Sequence, residues 1–427
     1  MRLSFASLVW LVACLTVSGR AAELMQRQTL DLNSAYRLAL QRSETLQMTE
    51  QEIKAAEARY WQAVSAVLPQ AGVYAQEGFM NRSQSANGKR NDSFQAGLQG
   101  SWLVFDGFRQ YNLAGAEQAQ KRGLTADLTR ARQLLFLDVG DVYFQITGLE
   151  KDLDVLRDLV AALNQRKGEL VDRISIGRSR QSELLSTETD IADTESEMAT
   201  VKGLLGASRE LLAFLIGMPS EHFVLSSPPG EFPKANDLFS YLWKAGARPD
   251  LQAAAEYETA ATRVVSADKG SFWPTVSVGA GWAAVESPSS NQDWNVTISA
   301  ELPIFDGGYR VSRLAESKAN LRITQLNLTR ARRLADYEVR LAYNNFISSA
   351  DRYLKLNLAE TTASRNYESQ KRDYELGRSS NLDVLLALTN WQQLRRRLLS
   401  TEIQARSNLI ALEVAAGSTL ADGKAAE

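Results

Sequence analysis

Cysteine and histidine are nearly missing from this chain, which holds Cys14, His222 and no other of either kind in 427 residues. A metal centre of thiolates and imidazoles has no ligand set here, and an intrachain disulfide is excluded. No phosphate-cradling loop and no nucleophile motif occurs, so the sequence predicts no enzyme, no cofactor and no metal. An excess of one charge is also missing: 48 Lys and Arg stand against 50 Asp and Glu. They are interspersed, which gives nucleic acid no basic patch to bind. The third absence is a long apolar run. No stretch reaches the roughly 18 residues of a spanning helix. The nearest, Leu3 to Val17, lies behind Arg2 and ahead of Gly19-Arg20-Ala21, and has the form of an export signal. Cys14 falls inside it. Leu11-Val12-Ala13-Cys14 fits a lipobox, which makes Cys14 a candidate lipidation site; the plainer reading is a core position of a cleaved signal.

What is present is a repeat. Leu128-Thr129-Arg130-Ala131-Arg132 returns 200 residues later as Leu328-Thr329-Arg330-Ala331-Arg332. At the same offset Phe105-Asp106-Gly107 returns as Phe305-Asp306-Gly307, Gly177-Arg178-Ser179 as Gly377-Arg378-Ser379, and Gly217 as Gly417. Upstream the offset becomes 205, with Leu68-Pro69 matching Trp273-Pro274 and Arg42 to Leu46 matching Ala247 to Leu251. A fixed offset over such distances marks two copies of one architecture. The reading divides the chain into a signal over 1–21, a first repeat over 22–225, a linker over 226–235, a second repeat over 236–417 and a polar tail over 418–427.

Each repeat reads as helix, two strands, very long helix, long helix. The first helix opens at Asp31 or Asn33 and is expected to run unbroken to Leu68, where Pro69 ends it. Strands are expected at about 70–103 and 275–303, where Phe94, Ala96, Leu98, Gly100 and Trp102 alternate with polar partners, as do Val276, Val278, Ala280 and Trp282, and Trp294, Val296, Ile298 and Ala300. Their length suits tilted membrane strands of ~9–11 residues, and equally a soluble sheet with one face on a core. Helical hairpins are expected at about 107–217 and 307–416. In the first, Leu128, Leu135, Val142, Leu149, Leu156, Leu163 and Leu170 recur every seven residues, answered by Leu184, Ile191, Met198, Leu205 and Leu212. In the second, Ala335, Ala342, Ser349, Ala363 and Gln370 replace the large residues of the outgoing row. Arg395-Arg396-Arg397 reads as one turn of an exposed helix face, with an adaptor contact as the alternative, and His222 as a surface residue beside the linker.

The order of these elements and the phrases Trp102 to Gly107, Leu302 to Gly308, Ile174 to Ser179 and Tyr374 to Ser379 resemble the TolC-like outer-membrane efflux protein family over nearly the whole chain. The resemblance implies a mainly α fold with a small β part: a duplicated helical-hairpin tunnel, or α-barrel, joined to a transmembrane antiparallel β-barrel shared between copies, four strands per chain. It implies a homotrimer in the outer membrane of a Gram-negative-type bacterium, with outer-membrane lipid around the barrel and a large periplasmic helical part. Its partners are a periplasmic adaptor and an inner-membrane transporter, and the chain is the passive exit duct of a tripartite efflux or type I secretion system. Sharing a barrel has independent support, because four strands cannot close one and open edges are intolerable in lipid. A pore-free periplasmic or surface coiled-coil scaffold is the competing reading, and export of proteins through the same fold another.

By the same resemblance the adaptor docks on the hairpin tips Gly177, Arg178, Ser179, Gly377, Arg378 and Ser379. The periplasmic gate falls on Ser182, Glu183 and Asp383, with Tyr374 reaching Glu183 and Arg378 nearby. A ring of such carboxylates from several copies would draw cations and raise its own pKa values by repulsion. The chain departs from the family in two places: Leu386 stands where a second acid is common, and Ser379 where an arginine is, with Arg378 one place earlier.

Overall fold

The computed structural model of the chain describes residues 28–80, 91–226, 232–287 and 294–418. The expected signal with Cys14, part of the linker and the tail beyond Ser418 lie outside them. In chain order the elements are β1 (Gln28–Leu30), α1 (Leu32–Arg42), α2 (Glu44–Ser65), β2 (Gln70–Met80), β3 (Asn91–Phe105), α3 (Arg109–Ser175), α4 (Gln181–Ile216), β4 (Phe223–Leu225), α5 (Leu238–Ala245), α6 (Pro249–Gly270), β5 (Thr275–Ser287), β6 (Trp294–Glu301), α7 (Tyr309–Glu375) and α8 (Asn381–Ala415). The fold is mainly helical with a small sheet part, as the sequence predicts.

Two expectations are corrected. The first helix is two helices. Asp31 caps α1, accepting from the Ser34 amide at 3.0 Å, but Ser43 takes ψ 109° and ends it before α2 begins. The repeat held the signal: the position matching Ser43 is Arg248, which Pro249 forces out of the helical region. The second correction is a pair of strands that periodicity does not reveal. β1 and β4 form a short parallel pair, Leu30 opposite Leu225, too brief for alternation to register.

The chain separates into two compact units, one of Thr45–Arg130 with Gly246–Leu334, the other of Met1–Glu44, Ala131–Ala245 and Ala335–Glu427. The first holds the four-stranded antiparallel sheet, in the order β2-β3-β5-β6. Its register places Val73, Leu98, Trp282 and Trp294 in one row, and Trp102, Val278 and Ile298 in another. Alternation in each strand thus adds up to one apolar face, with Gln99, Asn295, Ser277 and Ser299 on the other. That apolar face is exposed: Val73, Trp294 and Ile298 keep 81%, 71% and 74% of their surface. Gly97 is needed where β3 and β5 come closest, since a Cβ there would lie 2.0 Å from the Trp282 carbonyl oxygen. In the same unit, the Tyr257 hydroxyl of α6 donates to Asp127 of α3 at 2.5 Å.

Both long helices start on the repeated aspartate. Asp106 accepts from the amides of Arg109 and Gln110 at 3.0 Å each, and Asp306 from those of Gly308 and Arg310 at 3.1 and 3.2 Å. Each then runs 67 residues, about 100 Å at 1.5 Å per residue.

In the second unit the α3 row of the predicted seam is largely buried, whereas of the answering α4 row only Leu212 is buried and Leu184, Ile191, Met198 and Leu205 are half-buried. Leu156, Leu163 and Leu170 are closed off, and Leu149 packs half-buried with Leu153, Leu156, Met198, Val201 and Leu205 between α3 and α4. A larger core joins Tyr36, Phe136, Tyr143, Ile146, Leu212, Phe223 and Ile410. Each fully buried aliphatic side chain contributes ~1.5–3 kcal/mol. The inner row of α4 was not legible, because it is mostly polar: Thr187, Thr194, Val201 and Ser208. The hydroxyls bond back to the carbonyls of Glu183, Asp190 and Leu204 four residues earlier, so they enter the seam satisfied. The arginine run is also corrected. Arg396 is half-buried and ties three helices, binding Asp152 of α3 through two nitrogens at 2.6 and 2.9 Å and Glu197 of α4 at 2.5 Å. Arg395 binds Asp158 at 3.1 Å.

Candidate functional site

The two hairpin tips are built alike. After α3, the Gly177 amide donates to the Ile174 carbonyl at 3.0 Å and the Arg178 amide to the Arg173 carbonyl at 2.8 Å. After α7, Gly377 donates to Tyr374 and Arg378 to Asp373 at the same two distances. Gly177 and Gly377 take φ of +71° and +73°, a left-handed cap that glycine adopts without a Cβ clash. The repeated Gly-Arg-Ser therefore specifies one reversal twice. Arg178 and Arg378 point to solvent, as do Ile176 and Leu376 just before them, 64% and 65% exposed. Those two apolar residues were not singled out from sequence, although they too stand 200 residues apart.

The side chains past the turn differ. In the second hairpin Ser380 caps α8 in a reciprocal box: its hydroxyl accepts from the Asp383 amide, and the Asp383 carboxylate takes the Ser380 amide at 3.0 Å and hydroxyl at 2.6 Å. Ser379 adds a longer bond at 3.4 Å and donates to Gln370 at 2.8 Å. The Ser380 donors, then Ser379, hold the Asp383 carboxyl below the usual carboxylate range. In the first hairpin the matching cap is Arg180, whose side chain makes no cap bond; Glu183 instead accepts from Ser179. Ser182 is exposed. The raised pKa expected of a carboxylate ring needs several copies, and a single chain shows the opposite direction at Asp383.

Tyr374 is not set against Glu183. It is buried, with the Arg166 guanidinium 3.7 Å and that of Arg173 4.4 Å from its ring centre. Arg166 donates to Asn381 at 2.7 Å and Glu169 at 2.9 Å, so one side chain of α3 grips both α7 and the start of α8. The structure thus brings Ser379, Ser380 and Asp383 together, and Ser179 with Glu183, while Tyr374 belongs to an arginine pair. The sequence carried a signal for that pair: Asp152, Leu159, Arg166 and Arg173 form a heptad row of α3 in which charge recurs beside an apolar seam. Among the described residues no group of His, Cys, Asp and Glu could hold a metal ion, and no helix is long and apolar enough to cross a membrane.

A family model described as Outer membrane efflux protein matches residues 35–218 and 245–418. The chain is 25% identical over 405 residues to the cation efflux system protein CusC of Escherichia coli (strain K12), covering 89% of this chain and 84% of the relative. It is 22% identical over 414 residues to the outer membrane protein TolC of Salmonella enteritidis, covering 92% and 82%. A solved structure of CusC superposes with a TM-score of 0.82 at 20% identity, over 92% of this chain and 93% of that one.

Proposed function

The chain belongs to the outer membrane efflux protein family, and on that premise we propose that it is the passive exit duct of a tripartite export machine, assembled as a homotrimer. The observation that carries the reading is the sheet. One face is apolar across all four strands and exposed, the other is polar, and β2 and β6 are open edges. A soluble scaffold would bury that apolar face, and lipid forbids open edges. Copies of the chain satisfy both demands by closing one barrel, apolar side outward and polar side on a water-filled bore.

The tips form the periplasmic mouth. Ile176 and Leu376 offer apolar contacts, and Arg178 and Arg378 charged ones, to the hairpins of an adaptor, behind which an inner-membrane transporter supplies the energy. Ser182, Glu183 and Asp383 narrow the mouth, and Tyr374 acts through Arg166 and Arg173 by fixing where α8 begins. The two repeats, bounded as the offset implies, each contribute segments to both compact units.

In planar bilayers the protein should open cation-preferring conductances that multivalent cations block from the periplasmic side. Asp383→Asn keeps the size of the side chain and an accepting oxygen for the cap. It should weaken that block by about tenfold, with the amount of trimer unchanged. Absence of any conductance would return the scaffold reading; a conductance whose block ignores Asp383 would move the constriction elsewhere.

A further inference from the structure

Where the sheet gives way to helices, the end of α6 and the starts of α3 and α7 converge on a cavity of about 320 Å³ lined by Arg109, Arg310, Arg313, Asp268, Asp306 and Tyr309. Glycine brings two of these helices together: a Cβ on Gly107 would lie 2.3 Å from the Gly270 carbonyl oxygen. Two of the three arginines have acidic partners. Arg310 binds Asp306 at 2.7 Å and donates to the carbonyls of Ser271 and Pro303 at 3.0 and 2.5 Å. Arg313 gives its Nε to Asp268 at 3.1 Å and keeps 47% of its side-chain surface. Arg109 is left over. Its nearest acid in sequence, Asp106, is occupied by the Arg109 and Gln110 amides. Among the described residues the Arg109 guanidinium has no hydrogen-bond or ion-pair partner, so the lining carries a positive charge in excess.

The segments that bear this cavity also bear exposed rings: Phe108, Tyr111, Trp273 and Tyr309 keep 66%, 68%, 62% and 65% of their surface. Phe108 is held there against its own preference. Among the described residues it is the one non-glycine with a positive φ, +63°, and the matching position of the second repeat is Gly308 at +89°. A bulky residue takes that conformation only at a steric cost. The Phe108 ring meets Phe105 edge-on at 5.5 Å and otherwise stays outside the chain's own packing. The apolar face of the sheet stops close by, with Phe105 ending β3 and Thr275 opening β5. Exposed aromatics and arginines at the end of an exposed apolar face are the composition of a membrane–water boundary.

We propose that this cavity holds the phosphate of a phospholipid headgroup at the periplasmic edge of the sheet, with Arg109 and the exposed end of Arg313 donating to its oxygens and Phe108 and Trp273 set against the glycerol and the upper acyl chain. A phosphodiester offers anionic oxygens that suit guanidinium donors, and it supplies the charge that the lining lacks. A free oxyanion would satisfy Arg109 and leave the rings in water; a lipid covers both. The site rests on the reading of the sheet as part of an outer-membrane barrel and adds to it a headgroup-specific contact.

The test takes the oligomer extracted from membranes in mild detergent and reads bound lipid by native mass spectrometry, adding phosphatidylglycerol or diacylglycerol with the same chains. The parent should bind phosphatidylglycerol about tenfold more tightly. Arg109→Gln should erase that preference and Arg109→Lys should keep part of it. Phe108→Gly takes the left-handed backbone without a Cβ clash, so its oligomer should melt no lower than the parent in lipid-free detergent, yet both lipids should bind it several-fold more weakly. Inorganic phosphate at millimolar concentration should not displace the lipid. Displacement by phosphate alone would make the cavity a free-anion site and overturn the proposal. A headgroup preference that survives Arg109→Gln, or lipid binding indifferent to Phe108→Gly, overturns it as well, and a parent that conducts in bilayers then leaves the channel reading standing. A parent that is soluble without detergent and forms no conductance overturns both.

Discussion

The two hairpins of this chain share a backbone and differ in what fills it. Their turns have the same hydrogen bonds at the same distances and the same left-handed glycines. Between α3 and α4 the seam is leucine-rich and closed, with Leu156 and Leu163 at 0% and 1% exposure. The outgoing helix of the second hairpin puts Ala335, Ala342, Ser349 and Ala363 at the matching places. Small residues bring helices close without contributing much apolar burial. Duplication thus preserved the reversal, where geometry is demanding, and let the seam drift, where several packings satisfy the same helices. The second hairpin compensates with specific contacts: a Tyr367–Trp391 stack, the Trp391–Glu360 bond and the arginine grip on Tyr374.

The sharpest way to break the comparison is to put the same charge in both hairpins. Leu156→Asp buries an unpaired carboxylate and should cost ~3–5 kcal/mol. Leu356→Asp, at the repeat-equivalent and half-buried position, should cost under ~1.5 kcal/mol. Thermal melting and outer-membrane abundance of the two variants measure the gap; equal losses would mean the seams are energetically equivalent after all. A smaller effect should be symmetrical. Gly177→Ala and Gly377→Ala force a Cβ into the left-handed region and should each loosen their tip by roughly 1–2 kcal/mol, seen as faster amide exchange there. Unequal responses would show that side chains, not the shared turn, hold one tip.

The smallest effect should be one-sided. Ser380→Ala removes the capping box and should cost α8 about 1 kcal/mol, whereas Arg180→Ala, which removes no cap bond, should leave α4 unchanged. Acid sharpens this further. The folded pKa of Asp383 is depressed, so its capping contribution is present above the ordinary carboxylate range and is lost as pH falls through the depressed value. Amide exchange at the start of α8 should rise as pH falls through that depressed value.

Much of this architecture was open to reading because it rests on local rules repeated twice. Phe-Asp-Gly caps a helix, Gly-Arg-Ser reverses one, Leu every seven residues makes a seam, and alternation over ten residues makes a strand; each acts over a few neighbouring residues, and the offset of 200 checks each against a copy. The break at Ser43 was missed in the first repeat, where no proline announces it, though Pro249 did so in the second.

What only the tertiary structure decided is how side chains distant in sequence meet. The arginine run reads as solvated until Asp152 and Glu197, over 190 residues away in sequence, are found beside Arg396. Tyr374 reads as a partner for Glu183 until Arg166 is found against its ring. The periodic apolar pattern fixes which face of an element turns inward, because burial is non-directional and averages over many residues. A polar contact is directional and short-ranged, and its partner is set only once the helices have packed.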